Sequence, residues 1–469
     1  MIPLTLADIA ALADGVVATG ADPATSVAGP AVADSRQVVP GSLFVAVVGA
    51  RVDAHDFVPQ AVADGAAAVL ASRPVDAPAV LVDDTVLGLG RLARGYLDRL
   101  SADVVGLTGS SGKTSTKDLL AAVLATAAPT VAPHGSFNTE VGVPLTMLRA
   151  DPSTRYLVLE MSARGVGHIA YLCEIAPPRV GIVLNVGAAH LGEFGSREIV
   201  AQAKGELVEA LPSAADGGVA VLNADDPLVS AMRPRTRARV VTFGASADAD
   251  VRAVDVSLDD AARPRFALSR RGGRAEPVKV AMRLHGAHQV SNATAVAAAA
   301  VELGLDLSDV AVALSEAQPT SRWRMEVRTR VDGVTVVNDA YNANPESMRA
   351  AISALVSMRR GGRCWAVLGE MAELGVQSDT AHREIGAVVA SSGVDKLVVI
   401  GAVARGIADG AVAHGFPTSD VVCVGDVDAA LDALGGASGG DVVLVKASRA
   451  AALERVAQAL LEQSAEARA

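Results

Sequence analysis

The stretch Asp103-Val104-Val105-Gly106-Leu107-Thr108-Gly109-Ser110-Ser111-Gly112-Lys113-Thr114-Ser115-Thr116-Lys117-Asp118-Leu119-Leu120-Ala121-Ala122-Val123-Leu124 decides the fold. Residues 103–107 form a short apolar run of the kind that suits a buried parallel strand. Residues 108–112 are a Gly/Ser turn, and 114–124 read as a helix. Strand, glycine-rich turn and helix are the setting of a phosphate-binding loop. Free N–H groups at the helix start face an anion there, aided by the helix dipole. The expected phosphate contacts are Gly109, Ser110, Ser111, Gly112, Lys113, Thr114 and Ser115. Gly109 and Gly112 permit the tight backbone. Lys113 would neutralise the outer phosphates, and Thr114 would offer its hydroxyl to magnesium. The competing reading, a chance turn before a helix, is disfavoured by the strand and helix on either side. The loop is also short: Leu107 stands where the common pattern has its first glycine.

Outward from this stretch the same alternation continues. Strand-like runs stand at 156–159, 181–184, 218–222, 334–337, 365–368, 397–400 and 442–445, separated by helical stretches. The chain is therefore expected to be an α/β protein with parallel sheets. Its 469 residues exceed one ordinary core. Three blocks are expected, at 1–100, 101–319 and 320–469. Residues 245–280, rich in Asp, Arg and Gly, are expected to make a small antiparallel excursion, and a last helix is expected at about 450–463.

Composition excludes several classes. A formal net charge of -11 argues against a general nucleic-acid binder. No apolar run approaches the roughly 20 residues of a membrane helix, and no signal peptide is visible, so a cytoplasmic location is expected. Cys173, Cys364 and Cys423 are far apart and form no CxxC pair, so buried reduced thiols are expected. Six residues are lysine (Lys113, Lys117, Lys204, Lys279, Lys396, Lys446) among 41 basic residues. A lysine kept in an arginine-preferring chain hints at amine chemistry or a compact ammonium.

Three further residues are weak signals singly. Glu160 ends the run 156–159, where a carboxylate beside a phosphate loop is placed for magnesium; a surface acid is the bland alternative. His190 follows the turn Asn185-Val186-Gly187, and a helix-start histidine without a role is the alternative. Lys204 lies in a helical stretch, where a solvated lysine is the alternative.

Together these pieces resemble the Mur ligase family, which makes peptidoglycan precursors and has the shortened loop. The resemblance covers nearly the whole chain. Asp34-Ser35-Arg36 and Pro40-Gly41-Ser42-Leu43-Phe44-Val45-Ala46 resemble its N-terminal UDP-sugar domain. Ser136-Phe137-Asn138-Thr139-Glu140 resembles its substrate-facing loop. Gly286-Ala287-His288-Gln289-Val290-Ser291-Asn292 resembles its adenine-proximal segment, with Gln289 in place of Asn. Arg324 resembles its ATP-contacting arginine. Asn338-Asp339-Ala340-Tyr341-Asn342-Ala343-Asn344-Pro345, Leu368-Gly369-Glu370-Met371-Ala372-Glu373 and Val445-Lys446-Ala447-Ser448-Arg449 resemble the member that adds a dipeptide.

The resemblance implies a central phosphate-loop ATPase domain, an N-terminal UDP-substrate domain and a C-terminal Rossmann-like domain. It implies ATP and Mg2+, with Thr114, Glu160 and His190 as metal ligands and Lys204 carbamylated as another. Lys113, His190 and Lys204 would be catalytic. Asn292, Arg324 and Asp339 would contact the nucleotide. Ser35, Arg36, Asn138, Thr139, Tyr341, Asn342 and Asn344 would contact substrates. The implied substrates are UDP-N-acetylmuramoyl-tripeptide and D-alanyl-D-alanine, with one chain as the working unit. A family member adding a single amino acid, or a non-catalytic ATP-binding protein, remains open at this point.

Overall fold

A computed structural model describes residues 1–187, 191–272 and 276–466. Its centre is a nine-stranded sheet. Strand Asp103–Thr108 is paired in parallel with Val180–Val183 on one side and Tyr156–Glu160 on the other. Parallel strands Val219–Asn223 and Arg239–Gly244 extend the first side. The strands alternate inward residues between two cores. Leu157 and Leu159 join one, while Tyr156 and Val158 join the other. Burial on both faces explains the continuous apolar runs.

Three more strands, Val251–Leu258, Pro264–Arg270 and Val278–Ala281, are antiparallel to one another and attach at the edge. They are the expected excursion. A register shift between Val254 and Ser257 interrupts its period-two pattern.

A five-stranded sheet precedes this one, in the order Val16–Val17, Ala79–Leu81, Ala68–Ala71, Leu43–Val45, Ala31–Val32. Its inner face shares a core with the central sheet, through Leu43, Leu70, Tyr96, Leu157 and Ala220. A six-stranded sheet follows, with Thr335–Asn338, Val442–Lys446 and Cys364–Leu368 adjacent and parallel. Here too a separate core lies on each face.

Two expectations need correction. The last helix begins at Glu454, not near 450. Arg449–Ala451 form a 3-10 turn, and Ala452 then adopts a left-handed φ of 51°, which an α-helix cannot include. Of the cysteines, Cys173 and Cys364 are buried but Cys423 is exposed. Cys423 lies on Val421–Val424, the outermost strand of its sheet. Among the described residues no helix is long and apolar enough to cross a membrane.

The first and second sheets are tied by one buried phenol. Tyr96 Oη accepts from Ile2 N and donates to Ala150 O, each at 2.6 Å. Tyr96→Phe strands both backbone groups, and the loss of two such bonds at a buried site costs roughly 1–3 kcal/mol. A lowered midpoint of urea unfolding should read this loss, and an unchanged midpoint would show that water replaces the hydroxyl.

Candidate nucleotide and carboxylate-activation site

In an open parallel sheet, ligand crevices form beyond the carboxyl ends of the strands where strand order reverses. Asp103–Thr108 is such a place, because its two neighbours come from opposite directions of winding. Three strand ends therefore converge. Gly109–Gly112 leave the first, Glu160 closes the second and Asn185 follows the third. The third sheet repeats the arrangement: Asp339, Gly369 and Ser448 follow its three adjacent central strands. A cavity of about 610 Å³ lies between these two edges, lined from both.

The phosphate loop has the geometry its sequence requires. Gly112 sits at φ 80°, and a side chain there would meet Asn292 Oδ1 at 2.6 Å. Helix Lys113–Ala125 starts directly after it. Among the described residues, the N–H groups of Gly112, Lys113, Thr114 and Ser115 have no protein acceptor. These are the groups a helix start offers to an anion. Ser110 and Ser111 line the cavity as well. Their N–H groups both donate to Asn185 Oδ1 at 2.9 Å, so Asn185 shapes the loop from the neighbouring strand. Asn185 Nδ2 returns a bond to Ser111 O at 3.2 Å. The sequence reading passed over Asn185 as part of a turn. Its signal was its place just past the end of a buried strand.

Behind the loop lies a compact set of oxygen donors. Glu160 is the last residue of its strand and is buried, not a surface acid. Its Oε2 accepts from Thr114 Oγ1 at 3.1 Å, and its Oε1 accepts from Asn138 Nδ2 at 2.7 Å. A hydroxyl and a carboxylate together are hard oxygen ligands of the type magnesium takes. Ser136 Oγ stands 3.0 Å from Thr114 Oγ1, a neighbour the sequence reading did not single out.

The cations are arranged around this set. Lys113 Nζ donates back to Gly109 O at 2.6 Å. Burial pushes its ammonium below the ordinary lysine value; Glu160 opposes this, Arg324 adds to it and Glu373 opposes it. Lys204 lies in helix Arg197–Glu209 and is buried, so it is not a solvated lysine. Burial pushes it well below the ordinary value, and the nearby Lys113 adds to the effect. Among the described residues no carboxylate pairs with Lys204. His190 lies outside the described residues.

From the third sheet, Arg324 Nη2 donates to Thr114 Oγ1 at 3.1 Å and to Ser136 Oγ at 3.2 Å. Its guanidinium stands over the Tyr341 ring at 4.2 Å. Asn344 Nδ2 donates to Ser110 O at 3.2 Å, and its side chain also caps helix Pro345–Ser357. Asp339, Asn342, Thr139 and Asn292 line the same cavity. Asn292 donates to the buried Gln289 at 3.0 Å, so the Gln that replaces Asn keeps a polar partner. Ser35 and Arg36 are not part of this cavity. They form a 3-10 turn capped by Asp34, which also pairs with the exposed Arg36 at 2.7 Å.

Three family models match the chain: the Mur ligase family catalytic domain at 32–90, the Mur ligase middle domain at 107–300, and the Mur ligase glutamate ligase domain at 323–449. This chain belongs to the Mur ligase family. It has that family's three-domain fold and is an ATP-dependent ligase. It is 48% identical to the UDP-N-acetylmuramoyl-tripeptide--D-alanyl-D-alanine ligase of Mycobacterium tuberculosis, over 98% of each chain. It is 36% identical to the enzyme of that name from Bacillus subtilis, over 98% of this chain and 99% of that one. A crystal structure of MurF from Acinetobacter baumannii superposes with a TM-score of 0.86 at 31% identity, covering 98% of this chain and 99% of that one. The MurF ligase of Thermotoga maritima, solved in complex with ADP, superposes at 0.78 with 34% identity, over 94% and 98%.

Within a Mur ligase fold, the Asn185 clamp sets the conformation of the nucleotide loop. Asn185→Ala should weaken ADP binding by about tenfold, equivalent to ~1.4 kcal/mol. Calorimetric titration measures it; undiminished affinity would mean that the loop holds its shape without the clamp.

Proposed function

We infer that this chain joins D-alanyl-D-alanine to UDP-N-acetylmuramoyl-tripeptide at the expense of ATP. The observation that carries the reading is the convergence of the phosphate loop, the Thr114–Glu160 pair and Arg324 on one cavity, in a chain of this family. A carboxylate resists attack by an amine, so it must first be activated. A terminal carboxylate oxygen of the tripeptide attacks the γ-phosphorus of ATP, and ADP leaves. The dipeptide amine then attacks the acyl carbon, the C–O bond to phosphate breaks, and the amine proton is lost as the amide forms. Such transfers rest mainly on positioning and charge neutralisation.

This chain's residues divide that work. The N–H groups of Gly112 to Ser115 and the Lys113 ammonium face the phosphates. Thr114 and Glu160 are proposed to hold Mg2+, together with His190 and Lys204. A bound Mg2+ would offset the charge that builds up on the transferring phosphoryl group. Lys204 is proposed to be carbamylated. Burial, and then the nearby Lys113, hold the Lys204 ammonium well below the ordinary lysine value, which raises the share of free amine, the form that takes up carbon dioxide. Arg324, Asp339 and Asn292 are proposed to contact the nucleotide, and Tyr341, Asn342, Asn138 and Thr139 the reacting peptides. Asn344 lines the cavity but already bonds the loop, so we assign it to docking the third domain there. We place the domains at 1–100, 101–319 and 320–469, in keeping with each large sheet lying inside one span. Ser35 and Arg36 are proposed to meet the UDP end of the substrate. We propose a single working chain, since all these groups come from one polypeptide, and we propose that it works in the cytoplasm.

Incubation with ATP, Mg2+, the UDP-muramoyl-tripeptide and D-alanyl-D-alanine should give one new product. Its mass should equal the sum of the two peptides less water, formed in step with ADP. Single D- or L-amino acids in place of the dipeptide should give none, and a product with one of them would move the chain to another member of the family. Lys113→Ala should lower turnover by about 10³-fold or more, the scale of a group that stabilises transition-state charge, with unchanged circular dichroism. Near-normal turnover would remove the loop from the mechanism. Lys204→Ala should be inactive yet regain activity with acetate or another short acid; full activity without the acid would exclude the carbamate.

A further inference from the structure

Two buried cations, Lys117 and Lys446, have no part in the scheme above, and of these Lys446 lines the cavity. Lys446 is the last residue of strand Val442–Lys446 and is 1% exposed. Its Nζ donates to Asp339 Oδ2 at 2.6 Å and to Asn342 O at 2.9 Å, with Asp339 O at 3.4 Å. Three acceptors suit a compact ammonium with three protons and would not suit a planar guanidinium. The other oxygen of the same carboxylate, Asp339 Oδ1, accepts from Met325 N at 3.0 Å. Tyr341 N donates to Trp323 O at 3.2 Å. The turn held by Lys446 is thus laced to both neighbours of Arg324.

Those neighbours are strained. Trp323 has φ 57° and Met325 φ 49°, left-handed values at residues with side chains. Such conformations persist only where surrounding bonds over-determine them. The strain has a visible result, since it turns Arg324 between them over the Tyr341 ring and onto Thr114 and Ser136.

We propose that Lys446 is a positioning residue: acting through Asp339 and the Tyr341–Asn342 turn, it holds the Trp323–Met325 segment so that Arg324 reaches the phosphate loop. This rests on the ligase reading only in assigning Arg324 to the nucleotide. A plain core ion pair that merely secures the strand end is the rival, and coupling between sites tells the two apart.

The experiment is a double-mutant cycle on the full chain, read by ADP affinity in the absence of both peptides. Lys446→Met should weaken ADP about tenfold in the parent chain and less than about twofold when Arg324→Ala is already present, because coupled residues are not additive. Equal losses in both backgrounds, or no loss in the parent, would overturn the proposal. Removing the ammonium leaves the Asp339 carboxylate buried and unmatched, which can unfold the domain. Lys446→Arg then runs the same cycle with the charge kept. It should show a smaller loss and the same dependence on Arg324. If both variants lose the fold, Lys446 is a core residue and the proposal fails. A parent chain that binds ADP but makes no ligated product would overturn the ligase reading while leaving this cycle decisive.

Discussion

The hydrogen bond from Arg324 to Thr114 Oγ1 is the contact on which the site's architecture depends. Two parallel sheets each offer a crevice at their carboxyl edges, and neither crevice encloses a reaction alone. The central edge supplies loop N–H groups, a hydroxyl and a carboxylate. The third edge supplies a cation and an aromatic face. Arg324 joins them by ending on the same hydroxyl that donates to Glu160. Asn344 reaching Ser110 O, and Gly192 N reaching Glu373 O at 3.2 Å, fasten the same seam at two other places.

Holding Arg324 there has a cost. Left-handed backbone at a non-glycine residue costs roughly 1–2 kcal/mol, and both Trp323 and Met325 adopt it. Arg449 stands over the Trp323 ring at 4.5 Å, so the side chain as well as the backbone is held. Local strain offset by packing and hydrogen bonds elsewhere is a mark of functional segments. Here it sits where the chain crosses from the second block to the third.

Much of this was legible in the sequence, and the reason is periodicity. Strands buried on both faces leave runs such as 156–159 and 442–445, which nothing but a core explains. The loop was legible because Gly112 must adopt φ 80° and Lys113 must follow it at once. The scarcity of lysine was informative too. Lys117 and Lys204 are buried, as is Lys446, and Lys113 lies at the site; Lys279 alone of the six is exposed. What stayed hidden were residues whose role is set by distance in space. Asn185 is a common residue in an unremarkable turn, and Ser136 stood in a quoted loop without a contact of its own. They matter because strand order places them beside the loop, and strand order is not written in local pattern. Cys423 was misjudged for the same reason, since its run is as apolar as its neighbours but lies at the sheet's edge.

Glu160 shows how pattern and topology divide the information. Its position after an apolar run is common to many surface acids. Registered beside Leu107 in the parallel pair, it is carried under the loop and buried. A buried carboxylate must be matched by donors or cations. Asn138 and Thr114 satisfy it with two hydrogen bonds, while Lys113 and Arg324 set the local potential. A doubly charged cation added to this set meets a ready carboxylate and hydroxyl, but it also meets two cations held close by. Lys204 in its free-amine form could not relieve that excess, being a base without negative charge. Converted to a carbamate it would bring an anion to the side of the loop where, among the described residues, no carboxylate pairs with it.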